Sequence, residues 1–150
     1  MNQYLHMLKY CRLAIPTFAL LVAGCGGSSG MAPVSGSVTY KGKPVAKANV
    51  SFTPVEGTGR AAAGFTNDSG RYTLGTLTAS DGAAPGKYRA AVIARGPDRP
   101  PKPGETGSGM PGEMMPGDPV IPTKYFQAET SGLTFEVKRG SNRFDIDLKD

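Results

Sequence analysis

Histidine and cysteine are nearly absent from this sequence of 150 residues. The one histidine is His6, and the two cysteines are Cys11 and Cys25. From residue 26 onward neither residue type occurs, which excludes a serine or cysteine nucleophile activated by histidine and a zinc site of the peptidase type. It also excludes a disulfide, so a fold built from residues 26–150 depends on its core alone. We therefore expect a protein that is not an enzyme.

Two further patterns are missing from the chain after Pro33. No stretch of ten or more residues places apolar side chains at helical spacing, which excludes an amphipathic helix. The basic residues are scattered, without a run or a stripe, so a nucleic-acid-binding function has little support. We therefore expect an all-β protein that does not bind nucleic acid.

The N-terminal segment has the composition of an export signal. Residues 1–12 form a polar head that carries Lys9 and Arg12, and residues 13–23 form an apolar run that ends in small residues at Gly24. A basic head, a short apolar stretch and small residues at the cleavage site are typical of a secretory signal. The run is shorter than the roughly 20 apolar residues that a membrane-spanning helix needs. We predict a signal peptide over residues 1–24.

The sequence around Cys25 gives this signal a more specific meaning. Leu21-Val22-Ala23-Gly24-Cys25 resembles a lipobox, the site at which bacterial lipoproteins are diacylated on the cysteine thiol and cleaved just before it. Ordinary signal cleavage with a free Cys25 thiol, or a retained N-terminal anchor, are the alternatives. Cleavage before Cys25 leaves 126 residues with 15 basic and 12 acidic side chains, a net charge of +3. Gly26 rather than aspartate after the cysteine favours sorting to the outer membrane, by the rule of enteric bacteria.

The remaining chain predicts a tether and one β-sandwich. Residues 25–33 are rich in glycine and serine and form a flexible tether. Residues 34–150 contain about seven short runs of alternating or β-branched residues, separated by turn residues every 8–12 positions, which is typical of an antiparallel sandwich. The runs are Val34–Tyr40, Ala48–Thr53, Ala61–Thr66, Arg71–Leu74, Lys87–Ala94, Leu133–Val137 and Phe144–Leu148.

Two connections between these runs have distinctive sequences. Residues 67–70, Asn-Asp-Ser-Gly, predict a turn with Asp68 bonding the backbone and Gly70 at positive φ, so that the flanking strands form a hairpin. The stretch 96–120 holds seven prolines and six glycines in 25 residues. This composition predicts a long mobile loop without regular pairing.

The order of these motifs resembles a known family. Val34-Ser-Gly-Ser-Val-Thr-Tyr-Lys-Gly-Lys-Pro-Val45, Phe65-Thr-Asn-Asp-Ser-Gly-Arg-Tyr-Thr-Leu74 and Gly86-Lys-Tyr-Arg-Ala-Ala-Val92 are similar to the carboxypeptidase regulatory-like domain, a transthyretin-like (prealbumin-like) β-sandwich. The tail, with Ile121–Tyr125 and Thr130–Val137, looks like the small lipoproteins of planctomycete-type bacteria that carry this domain. The resemblance implies a non-catalytic accessory module at the cell envelope.

Three groups of residues are candidates for binding. Asn67, Asp68 and Ser69, or Asp145 with Asp147, can offer oxygen atoms to Ca²⁺, although neither set supplies the 6–8 ligands that calcium takes. The thioethers of Met110, Met114 and Met115 suit Cu(I). Tyr125 and Phe126 form either an exposed aromatic pair for a sugar or peptide, or part of the core.

The sequence thus predicts a non-enzymatic, lipid-anchored envelope protein with a structural, adhesive or accessory binding role. Lipid on Cys25 is its expected link to the membrane, and an envelope protein or polysaccharide its possible partner. We expect no catalytic residue and no cofactor. The alternative is a ligand or metal carrier that uses the methionines of the 96–120 loop for Cu(I) or the Asp-containing turn for Ca²⁺.

Overall fold

The computed structural model describes residues 30–56, 59–105, 107–108, 110 and 112–150. The predicted signal peptide, Cys25 and most of the predicted tether lie outside these residues. In the described part of the chain, no helix has the length and apolar character needed to cross a membrane. The structure contains β-strands, turns and one short 3-10 helix.

The strands are short and are separated by turns. Within the described ranges they are β1 Val34–Tyr40, β2 Lys43–Pro44, β3 Asn49–Pro54, β4 Ala62–Phe65, β5 Arg71–Thr73, β6 Gly86–Ile93, β7 Thr134–Val137, β8 Asn142–Arg143 and β9 Ile146–Leu148, with the 3-10 helix at Thr123–Phe126. The predicted run at residues 144–148 contains β9, and β8 precedes it; both pair with β1 in the same parallel register, as two parts of one interrupted strand. The predicted all-β fold is confirmed.

The strands form two sheets. In one sheet β1 is central: β2 and β5 pair with it antiparallel on one side, and β8 and β9 pair with it parallel on the other. The second sheet has the order β4-β3-β6-β7 and is antiparallel throughout. The parallel pairing of β1 with the last strands places the first and the last strand of the described domain side by side, with Gly30 and Asp150 at opposite ends.

The core lies between the two sheets because each strand turns alternate residues inward. Val34 and Val38 of β1, Val50 and Phe52 of β3 and Leu148 of β9 are among the side chains that are almost completely buried. The ring of Phe52 is at the centre of an aromatic group, with ring centroids 5.3 Å from Phe135, 6.0 Å from Phe144 and 6.1 Å from Tyr88. The inward alternation predicted for these strands is confirmed.

The predicted hairpin around Gly70 forms, since Ala63 and Gly75 exchange two backbone hydrogen bonds of 2.9 Å across it, but its two arms belong to different sheets. The turn itself forms: Gly70 has φ 73°, and the Asn67 N–H donates to the Arg71 carbonyl at 2.8 Å. However, β4 before the turn pairs with β3, whereas β5 after it pairs with β1. The turn therefore carries the chain from one sheet to the other, so that each of the two strands buries its inner face between the sheets.

The interruption between β8 and β9 has a local cause. Gly36 of β1 lies so close to this point that a Cβ on it would be 1.8 Å from the Phe144 carbonyl oxygen. The Phe144 N–H donates to the Ser35 carbonyl at 2.9 Å, while its carbonyl oxygen accepts a hydrogen bond of 2.7 Å from the Tyr72 hydroxyl. Glycine allows this close approach, and tyrosine satisfies the carbonyl that leaves the ladder.

Candidate functional site

The sandwich has two distinct ends, which we name the entry pole and the far pole. At the entry pole the chain arrives from Gly30, Ala32 pairs with Ala83, and residues 54–56, 59–60, 84–87 and 139–140 gather. At the far pole lie the turn at 41–42, the 94–120 connection and Asp150. β1 runs from the first pole to the second, so the two ends are separated by the length of a seven-residue strand, about 23 Å.

Two isolated bridges join the arms of the connection after β6. Arg95 pairs with Pro119, and Arg99 pairs with Met115, in antiparallel bridges. The Arg99 and Met115 backbones exchange hydrogen bonds of 2.9 and 2.7 Å. The described residues of 96–120 form no regular strand, and these two bridges are a feature that the composition did not predict. We name residues 95–119 the proline hairpin.

An ion-pair cluster joins the two arms of the proline hairpin. The Arg99 guanidinium donates to both carboxylate oxygens of Glu105, at 2.7 and 2.8 Å. Asp118 receives the Lys102 ammonium at 2.8 Å and lies 3.3 Å from the Arg99 guanidinium. The hydrogen bonds from Arg99 lower the pKa of Glu105 to about 2. Two parallel N–H···O bonds fix the orientation of Arg99 and Glu105, and the pairs with Asp118 link them to the other arm of the hairpin.

The three methionines of the proline hairpin do not form one group. Met110 and Met114 are exposed and line the same open cleft of about 580 Å³, together with Pro100 and Pro101. Met115 instead lies in the bridge with Arg99. The structure thus brings together two of the three proposed thioether ligands.

Asn67, rather than the predicted Asp68, makes the side-chain hydrogen bonds to the backbone of this turn. The Asn67 side-chain oxygen accepts hydrogen bonds from the backbone N–H groups of Ser69 and Arg71, each at 3.0 Å. An asparagine oxygen engaged in this way caps the turn. Asp68 is exposed. The Asn67–Ser69 turn thus has its best-placed oxygen occupied by its own backbone.

Asp145 and Asp147 lie on the outer face of the sheet around β1, as their alternation with Ile146 predicts. Asp145 accepts from the Ser37 hydroxyl at 2.8 Å and from Arg143 at 3.0 Å, and Asp147 accepts from the Thr39 hydroxyl at 3.1 Å. The hydrogen bond from Arg143 is the largest of the interactions that lower the pKa of Asp145. Across the described residues, no three Asp, Glu, His or Cys side chains stand close enough to hold a metal ion.

The two aromatic residues after the hairpin belong to the core or its edge. Tyr125 is buried, and its hydroxyl bonds both the carbonyl oxygen and the N–H of Lys149 at 3.0 Å. Phe126 is partly buried against the core, and the Arg95 guanidinium lies over its ring at 5.0 Å. The alternative of an exposed aromatic pair is wrong, because Tyr125 closes the sandwich against the residue after β9.

Sequence reasoning missed two features that the structure brings out. One is the pairing of Arg99 and Lys102 with Glu105 and Asp118, for which opposite charges within a proline-rich stretch are the only signal. The other is Asp81, whose carboxylate accepts from the N–H groups of Thr76, Leu77 and Thr78. The bond from Thr76 is the main cause of the lowered pKa of Asp81. An aspartate before glycine, five residues after a threonine, is a weak signal for such a cap.

Comparison with known proteins adds a single structural likeness. No protein-family model and no curated protein matches the chain. Among solved structures, a DUF3823 family protein from Parabacteroides merdae is similar over 79% of this chain, with 14% sequence identity and a TM-score of 0.39. The chain spans 45% of the length of that protein.

Proposed function

We propose that this protein is a lipid-anchored, non-enzymatic module of the cell envelope that presents the proline hairpin to a partner. The observation that carries the proposal is the arrangement of the two poles. The chain enters from the direction of Cys25 at one end of the sandwich, and the proline hairpin projects from the other. A lipid on Cys25 would thus leave the hairpin on the side of the domain away from the membrane.

The resemblance of the motifs supports the same function. The lipobox-like Leu21–Cys25 and the order of strand and turn motifs are similar to lipoproteins of planctomycete-type bacteria with a carboxypeptidase regulatory-like domain. In such a module the sandwich is a scaffold and carries no catalytic residue. Outer-membrane sorting, indicated by Gly26, is part of this proposal.

The proline hairpin is suited to protein recognition. Arg99 joins Glu105 and Asp118, while most of the described side chains of the hairpin remain exposed. Proline-rich backbone loses little conformational freedom when it binds, which favours its use in extended recognition segments. We therefore expect an envelope protein as the partner, with a polysaccharide as the other outcome.

Lipid attachment is tested with Cys25→Ser in the native host. Mass spectrometry of the membrane-extracted protein should find a diacylglyceryl cysteine at the new N-terminus, and the variant should lose it and leave the membrane fraction. Cys11→Ser is the matched control, because this residue lies in the predicted signal peptide. Unchanged membrane fractionation of Cys25→Ser would reject the anchoring part of the proposal.

Partner binding is tested by pull-down of the lipoprotein from its own envelope. A variant in which Asn-Gly replaces residues 97–117 retains the base of the hairpin, where the Gly96 N–H bonds the Asp118 carbonyl. Proteins that copurify with the native chain should be absent with this variant. Identical copurifying proteins would exclude the hairpin as the binding element.

A second candidate is a Cu(I) carrier, which the shared cleft of Met110 and Met114 favours. Soft thioether sulfur atoms prefer Cu(I) to harder cations. Calorimetric titration with Cu(I) should give binding heat that Met110→Leu combined with Met114→Leu removes and Met115→Leu retains. Absence of heat with Cu(I) and with Ca²⁺ would reject the carrier function.

A further inference from the structure

The entry pole lies close to the proposed lipid. Gly30, the first residue that the structure describes, is five positions after Cys25, with four residues between them. A chain of five residues spans at most about 18 Å when fully extended. The side chains around Gly30 are therefore within about two Debye lengths of the bilayer surface even at the greatest reach of the chain.

Basic side chains surround the point of entry. Met31 lines two depressions of the surface, one of which is also lined by Arg139 and the other by Arg60 and Lys87. Lys138, beside Arg139, is exposed, as are the other three basic residues. Within the described residues, none of these four side chains forms an ion pair.

The acidic residues of this pole reduce its charge only in part. Glu136 is opposite Lys87 in the β6–β7 register, and Glu56 lines the depression with Arg60. Asp81 is turned to the backbone N–H groups of its own loop. Arg139 and Lys138, on the turn after β7, have no acidic residue opposite them in that register. Among the basic residues of the entry pole, Lys138 and Arg139 therefore have the fewest acidic side chains near them to offset their charge.

The far pole uses part of its charge in ion pairs. Lys41 pairs with Asp150 at 2.9 Å, and Arg99 and Lys102 pair with Glu105 and Asp118 inside the proline hairpin. Lys43, Lys47 and Lys124 at the same pole are exposed and form no ion pair within the described residues. The entry pole differs in having two exposed guanidinium groups without an ion pair, those of Arg60 and Arg139, and guanidinium binds phosphate in a bidentate manner.

We infer that the entry pole is a docking surface for the anionic phospholipid headgroups of the membrane that carries the anchor, with Arg60, Lys138 and Arg139 as the contacting residues. This inference rests on the proposed lipidation of Cys25. The tether supplies proximity, and the three basic side chains supply orientation. Docking in this way points the strands of the sandwich away from the bilayer and holds the proline hairpin about 23 Å above the docked end.

The inference is tested on the processed full chain, reconstituted into vesicles of phosphatidylcholine alone or with 30% phosphatidylglycerol. A water-soluble N-hydroxysuccinimide ester acetylates accessible lysines, and mass spectrometry gives the rate at each one. Lys138 should react roughly fivefold more slowly in the anionic vesicles, the factor expected for one basic residue held at a charged surface. Lys43, exposed at the far pole, should react equally in both. High salt should remove the difference at Lys138.

Two charge-matched variants complete the test. Arg60→Gln with Arg139→Gln should abolish the protection of Lys138, whereas Lys47→Gln with Lys124→Gln, the same change at the far pole, should retain it. Equal acetylation of Lys138 in both vesicles, or protection that survives the first variant, would overturn the docking surface. The mass of the N-terminal peptide reports lipidation in the same samples, so a failure of the anchor is distinguished from a failure of docking.

Discussion

The hydroxyl of Tyr72 donates a hydrogen bond of 2.7 Å to the carbonyl oxygen of Phe144, 72 residues later in the sequence, at the break between β8 and β9. This bond joins the two edges of the sheet across the central strand β1. Burial is the main cause of the raised pKa of Tyr72, so the phenol remains a donor throughout the physiological range.

Tyr72→Phe should lower the free energy of unfolding by about 1–3 kcal/mol, because it leaves the Phe144 carbonyl without its partner. Urea denaturation followed by circular dichroism measures the change. Tyr40→Phe, which removes an exposed hydrogen bond to Asp150, is the control and should cost less than half as much. Equal losses in the two variants would contradict a special role for Tyr72.

Gly36→Ala should destabilise the domain by about 3 kcal/mol or more, since its methyl group would overlap the Phe144 carbonyl oxygen and core overpacking alone costs 1–3 kcal/mol. Thermal unfolding gives the comparison with Gly96→Ala, whose added Cβ would meet the Asp118 carbonyl oxygen at an ordinary 3.7 Å. Similar melting temperatures for the two variants would show that β1 and the break can move apart.

The proline hairpin should lose its order only in strong acid. Hydrogen bonding to Arg99 lowers the pKa of Glu105 from 4.5 to about 2. A carboxylate with a depressed pKa stabilises the folded form above its unfolded pKa, and this contribution is lost as the pH falls toward the folded pKa. The amide protection of Arg99 and Met115 by NMR should therefore be constant above pH 4.5 and decline toward pH 2. Glu105→Gln should reduce this pH dependence to the part that comes from Asp118, whose pKa is lowered mainly by the hydrogen bond from Lys102; an unchanged profile would exclude Glu105 as a source.

Replacing residues 97–117 by Asn-Gly should leave the free energy of unfolding within about 0.5 kcal/mol of the native value, because this stretch contributes no side chain to the hydrophobic core. Tyr125→Ala, just beyond the hairpin, should cost about 3–5 kcal/mol, the range of large aromatic truncations in cores. Chemical denaturation of both variants tests whether the folded core excludes residues 97–117 and includes Tyr125. A large loss in the hairpin variant would make this segment part of the fold.

Local patterns predicted the inner faces of the strands. Val34 with Val38, and Ile146 with Leu148, alternate with polar residues, and a period of two places them in the core whichever strand they pair with. The choice of pairing partner was not predictable in this way. The turn at Gly70 has the sequence of a hairpin turn, and Ala63 does pair with Gly75 across it. The pairing of β4 with β3 and of β5 with β1, which places the two arms in different sheets, has no signal in this local sequence.

The binding candidates show the same limit. The methionines of the 96–120 stretch were grouped by composition, but their separation depends on the bridge between Arg99 and Met115. Tyr125 is buried because it meets Lys149 after β9, a contact over 24 residues that no local pattern contains. Residue types indicated which chemistry was available, and the long-range pairing determined where it lies.

The parallel pairing of β1 with β8 and β9 affects when the protein can fold during its synthesis. β1 obtains its neighbours on that side only from residues 142–148, more than a hundred positions later. A chain that emerges N-terminus first therefore cannot close its first sheet until residues 142–148 have been made. Such late closure keeps the polypeptide loose during synthesis, which is the condition a chain needs to be threaded through a narrow translocation channel before it folds.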